Sequence, residues 1–172
     1  MFKVNDTILY GTDGVCKIKE ITSKKFGDKV NDYYVLEPIY SNNSILYVPV
    51  DNENLTSKMR PVLSVDKIRD LIRDTVDMDD IWIENDRSRQ TQYKEIISKG
   101  DYLEIMKIIK TLYQHKEEKV SAGRKFHKVD QDILSFAQNL LHNEFAHVLD
   151  IKPDEVLDFI LDEVESYEKE IH

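Results

Sequence analysis

Arg60-Pro61-Val62-Leu63-Ser64-Val65-Asp66-Lys67-Ile68-Arg69-Asp70-Leu71-Ile72 is the stretch at which the chain changes its period. Upstream, apolar and polar residues follow a period of two. Downstream, Val65, Ile68, Leu71 and Ile72 recur at helical spacing on one face, and Ser64 is placed to cap the first turn. This switch predicts an α+β protein of two domains, a β-rich one over 1–60 and an all-α one over 61–172.

The β-rich part divides into short runs of β-branched and aromatic residues: Thr7 to Tyr10, Val15 to Thr22, Tyr33 to Glu37 and Ile45 to Val50. Three turn signals separate them: Gly11-Thr12-Asp13-Gly14, Phe26-Gly27-Asp28 and Ser41-Asn42-Asn43. Four or five strands of this size close most economically as a small SH3-like or Tudor-like barrel.

In the other direction, Asp74 to Asp80 reads as an acidic hinge, followed by a helix from near Asn85 that Gly100 ends. Asp101 and Glu104 have capping-box spacing before Leu103, Ile105, Met106, Ile108, Ile109 and Leu112, a set that predicts a helix buried on most sides. Ser121 is the expected cap of a long fourth helix that buries Phe126, Val129, Ile133, Phe136, Ala137, Leu140, Leu141 and Phe145. Pro153 suits the first turn of a last one.

The chain has 172 residues, 41% of them apolar and 33% charged, with four Pro and five Gly, as in an ordinary folded protein. No run approaches the roughly 20 apolar residues of a membrane span. The first residues enter strand-like sequence without the blocks of a signal peptide, and the single Cys16 has no disulfide partner; the expected compartment is the cytoplasm. The net charge of −9 excludes a bulk coater of nucleic acid. Its distribution is uneven, however: residues 87–128 hold eleven Lys or Arg against five Asp or Glu, net +6, and 129–172 hold two against twelve, net −10. An anion would bind the basic island and be repelled by its flanks.

Catalytic chemistry finds no support. His142 and His147 are five residues apart, about 140° around a helix, whereas a zinc-binding helix needs its pair at i and i+4. Glu144-x-x-His147 occurs once, where a di-iron bundle needs two such motifs. Gly11-x-x-Gly14 opens no helix and so is no phosphate loop. Cys16, in strand alternation, reads as a core residue. The chain is accordingly expected to be non-enzymatic and to need no metal or cofactor. The basic island has more content: Trp82, Arg87, Arg89, Lys94, Arg124 and Lys125 are the candidate nucleic-acid contacts, cations for phosphates and one aromatic able to stack or wedge, although a lone Trp equally suits a core.

The ordered set of motifs resembles the CarD family of bacterial transcription regulators, whose N-terminal domain is similar to the polymerase-binding module of transcription-repair coupling factor. The resemblance rests on Phe2 to Ile18, Ser44 to Asn52, Met59-Arg60-Pro61-Val62, Ser98-Lys99-Gly100-Asp101, the run to Tyr113, and Leu140 to Ala146. It implies that the edge strand Leu46-Tyr47-Val48, with Lys24 in a neighbouring loop, docks on the β subunit of RNA polymerase. It further implies that the helical domain meets promoter DNA at the upstream edge of the bubble and modulates open-complex stability; the acidic net charge adds the expectation that free DNA is bound weakly and that tethering through polymerase compensates. Three positions depart from the pattern: Asn5 stands where Gly is usual, Tyr47 where Arg is usual, and Trp82 one helical turn before the usual wedge position, Asp86. The Tyr47 and Trp82 departures and the acidic net charge leave an alternative, a protein adaptor with the same barrel and no DNA role.

Overall fold

The computed structural model describes residues 1–41 and 44–172 and divides them into two compact units, Met1–Leu63 and Ser64–His172. The turn expected at Ser41-Asn42-Asn43 lies largely outside the described residues.

The first unit is one antiparallel sheet of β1 (Thr7–Tyr10), β2 (Gly14–Phe26), β3 (Lys29–Pro38), β4 (Leu46–Pro49) and β5 (Met59–Pro61), in the order β4-β3-β2-β1-β5. A short helix, α1 (Glu53–Thr56), joins the last two strands. The expected barrel is thus a strongly paired but open sheet, with no ladder between β4 and β5 among the described residues. β2 and β3 are longer than their apolar runs because they continue as a hairpin from Cys16↔Pro38 to Phe26↔Lys29. Gly27, with φ of +62°, makes the two-residue loop at its tip. Ile8, Tyr10, Cys16, Ile18, Tyr34, Leu36, Val48 and Met59 form the core on one side of the sheet. Burial, then the charge of Asp13, pushes the Cys16 thiol up to about 12, so it is packed and inert.

Asn5 has φ of +75°, and its amide donates to the Ile18 carbonyl at 2.8 Å. The position where Gly is usual is therefore a left-handed turn, and Asn is among the few other residues that tolerate it.

The second unit comprises α2 (Val65–Asp74), α3 (Asp86–Lys99), α4 (Tyr102–Ser121), α5 (Lys128–Leu149) and α6 (Val156–Ile171). Local signals account for most of the boundaries. Ser64 accepts from the Lys67 amide, Asn85 from that of Ser88, and Asp101 from those of Leu103 and Glu104; Gly100 closes α3 at φ of +74°. Glu104 leaves the reciprocal half of its capping box unmade and pairs with Lys107 at 2.8 Å. Ser121 caps nothing: it ends α4, and α5 begins at Lys128 after His127, which makes no side-chain cap. The helix runs on through Glu117 to Val120 because nothing halts it until Gly123, whose φ is +70°. Val129 and Phe136, expected inside, are exposed, since the buried face of α5 follows Ile133, Ala137, Leu140, Leu141 and Phe145. Pro153 opens a 3-10 turn, Pro153–Glu155, that leads into α6. No helix among the described residues is long and apolar enough to cross a membrane.

The left-handed turn at Asn5 gives a direct test. Asn5→Ala should cost about 1 to 2 kcal/mol and Asn5→Gly should be tolerated, as read from urea midpoints; equal midpoints for the two variants would exclude backbone strain as the constraint.

Candidate nucleic-acid interface and sheet edge

The segment between α2 and α3, read as a hinge, is strapped down. The Lys110 ammonium donates to the carbonyls of Thr75, Val76 and Met78 at 2.7, 3.0 and 3.4 Å. The buried Thr111 hydroxyl accepts from the Ile81 amide at 3.3 Å, and Tyr93, its hydroxyl pushed up to about 12 chiefly by burial, donates to the Ile81 carbonyl at 2.8 Å. Asp80 accepts from the Trp82 amide and pairs with His115, both at 2.7 Å. Trp82 therefore sits on a fixed loop against α4.

Arg89 organises the place where this loop, α3 and α5 meet. Its side chain is 0% exposed. Nε and one terminal nitrogen donate to the two oxygens of buried Asp130 at 3.0 and 2.5 Å; the guanidinium also reaches Asp86 at 3.0 Å and the Ile83 carbonyl at 2.9 Å. Burial works against the charge, but the hydrogen bonds that Arg89 donates to Asp130 and Asp86 outweigh it and hold the guanidinium above its usual value. The same bond, with smaller help from nearby His127 and Lys119, holds the Asp86 carboxyl below the usual carboxylate range. This corrects the expectation for Arg89: every nitrogen is committed inside the protein, and none faces a phosphate.

Trp82 lies between this guanidinium, 4.0 Å from the ring centroid, and the His115 ring, stacked at 4.0 Å and 10°, with the Lys119 ammonium 5.4 Å away. It is half-buried, part of neither the core nor a free surface. Arg87 and Lys94 are exposed on α3, and Arg124 and Lys125 are exposed on the loop between α4 and α5, whose far end is tied to α3 through Asp130 and through His127, 3.8 Å from Asp86. Sequence reasoning missed His115 and Asp130, and counted Lys119 only as one cation of the basic island; the periodicity of α4 and α5 was the one signal that could have hinted at the first two.

In the first unit, Val50 donates its amide to the Asp32 carbonyl at 2.9 Å, and Tyr34↔Val48 and Leu36↔Leu46 follow in register. Antiparallel pairing alternates, so Leu46 and Val48 direct their backbone groups at β3, while Tyr47 directs its amide away from it. Pro49, with no amide hydrogen, takes the other outward position, as edge strands allow. Val48 is buried in side chain as well, Leu46 packs on the core, and Tyr47 is exposed. Lys24 holds its ammonium 3.8 Å from the Tyr47 ring centroid, and Tyr33 links Tyr47 edge-to-face with exposed Phe26. The outcome, among the described residues, is an unpaired edge bordered by an aromatic strip and a cation.

Among the described residues no group of three His, Cys, Asp or Glu could hold a metal ion. Glu144 is buried and accepts from the Tyr102 hydroxyl.

Residues 2–63 match the family model of the CarD-like/TRCF RID domain, and residues 68–161 match that of the CarD C-terminal domain. No curated protein sequence matches the chain.

Removal of one partner from the buried pair should be severe. Arg89→Ala should cost about 3 to 5 kcal/mol, because Asp130 is left charged and buried, whereas Arg87→Ala should stay within about 0.5 kcal/mol. Similar denaturation midpoints for the two variants would contradict the packing described.

Proposed function

Because the chain belongs to the CarD family of RNA polymerase-interacting transcription regulators, we propose that its first unit docks on the polymerase β subunit through the β4 edge and that its second unit contacts promoter DNA at the upstream edge of the bubble. The observation that carries this reading is the outward-facing backbone of Tyr47, unpaired among the described residues, beside an exposed aromatic strip, a template for an added strand. The cation usual on this edge is absent from position 47, but Lys24 supplies one within 3.8 Å of the ring that replaced it.

On the DNA side, Trp82 serves as the aromatic element and Arg87, Lys94, Arg124 and Lys125 as the phosphate contacts, with Arg89 positioning Trp82 from beneath. A loop strapped at Thr75, Val76, Met78 and Ile81 presents the indole at little further cost in entropy. An acidic protein with few free cations binds duplex weakly alone, and tethering to polymerase compensates by raising the local concentration to the order of mM. The burial of Arg89 favours one rival, a polymerase-bound cytoplasmic adaptor without a DNA role.

Two measurements separate these readings. Tyr47→Pro removes the outward amide without touching the β3 ladder and should abolish co-purification with polymerase while circular dichroism stays unchanged; retention by the folded variant would rule out edge pairing. Trp82→Ala should shorten open-complex lifetime about tenfold, the effect of about 1.4 kcal/mol, while polymerase binding is kept. An unaltered lifetime with polymerase bound would leave the adaptor.

A further inference from the structure

The buried faces of α4, α5 and α6 converge without filling the space between them. A cavity of about 350 Å³ remains, within the size range of small-molecule sites. Its walls come from helical stripes: Met106 and Ile109 of α4, Leu141 and Phe145 of α5, Ile160 and Val164 of α6. Collapse of α6 onto α4 would close it, but α6 is held on α2: Glu163 pairs with Arg73 at 3.1 Å and Arg69 at 3.8 Å, and Arg73 lies 5.5 Å from the Tyr167 ring centroid. The cavity is therefore built into the helix arrangement.

The polar groups in the wall define what would fit. His142 and Gln138, one turn apart on α5, line the cavity, and neither makes a hydrogen bond to another described residue. Burial keeps the His142 imidazole below its usual value, so near neutral pH it is an uncharged group with one donor and one acceptor. The cation in the wall is unavailable to an anion, because all three Lys110 protons go to carbonyls. Glu168 stands at the rim, and α6 carries six carboxylates against the single Lys169, which disfavours anions further.

We propose that this cavity is a binding site for a small, uncharged, largely apolar molecule with one hydrogen-bonding group, anchored by His142. Neither Trp82 nor any residue of β4 lines the cavity, and the proposal does not depend on polymerase binding.

The test uses the full chain and two fluorescent probes that share a ring system, neutral N-phenyl-1-naphthylamine and anionic 1-anilinonaphthalene-8-sulfonate. The neutral probe should saturate at one per chain and bind at least about tenfold more tightly than the anionic one. His142→Leu, which keeps apolar volume and removes the anchor, should weaken the neutral probe about fivefold to tenfold. Leu161→Trp, at the half-exposed rim, should block entry and weaken it more than tenfold. Both variants should keep a cooperative thermal melt, and either one that does so suffices. Non-saturable binding, preference for the anionic probe, or affinity unchanged in a folded variant would overturn the proposal.

Discussion

The buried Arg89–Asp130 pair is the constraint on which the second unit's surface depends. Removing a guanidinium and a carboxylate from water costs several kcal/mol each, and attraction offsets this only when the remaining donors and acceptors are also satisfied. Here the donors go to Asp130 on α5, Asp86 at the start of α3 and the Ile83 carbonyl on the preceding loop. Satisfying one side chain therefore fixes three parts of the chain relative to one another. A Lys could not do this, since the planar fork supplies the bidentate bond to Asp130 and also the flat face on which Trp82 lies.

Trp82 follows from that arrangement. The guanidinium on one face, the His115 ring stacked on the other and the strapped loop behind hold the indole in one place. The same economy appears on the sheet. Tyr47 is aimed outward because the ladder consumes its neighbours' backbone groups, and Lys24 and Tyr33 limit the freedom of its ring. In both places an aromatic ring is held by neighbouring side chains, Arg89 and His115 at Trp82, Lys24 and Tyr33 at Tyr47.

The departures from the family pattern have local explanations. Asn5 occupies a left-handed turn that Gly would enter more freely. Tyr47 brings no charge, and Lys24 stands over it. Asp86, at the usual wedge position, is a half-exposed acceptor for Arg89, the same guanidinium on which Trp82 rests one turn earlier.

Local rules made much of this legible beforehand. Alternation and turn residues located the strands, the period change after Pro61 separated sheet from helices, and Ser64, Asn85, Gly100 and Asp101 marked helix ends through bonds within a few residues. Those rules failed where a competing signal was equally local: Ser121 looks like a cap, but no helix breaker precedes Gly123. The sequence alone thus determined the α+β class, four of the five strands, the succession of sheet and long helices, and the basic island, because these depend on neighbours along the chain. Only the tertiary structure decided that Arg89 lies inside, that Trp82 rests on it, that Tyr47 and not Val48 offers its backbone outward, and that three helices enclose a cavity. Each of those depends on groups brought together from distant positions, such as Arg89 and Asp130 across 41 residues, and no periodicity encodes which of several cations will find the buried carboxylate.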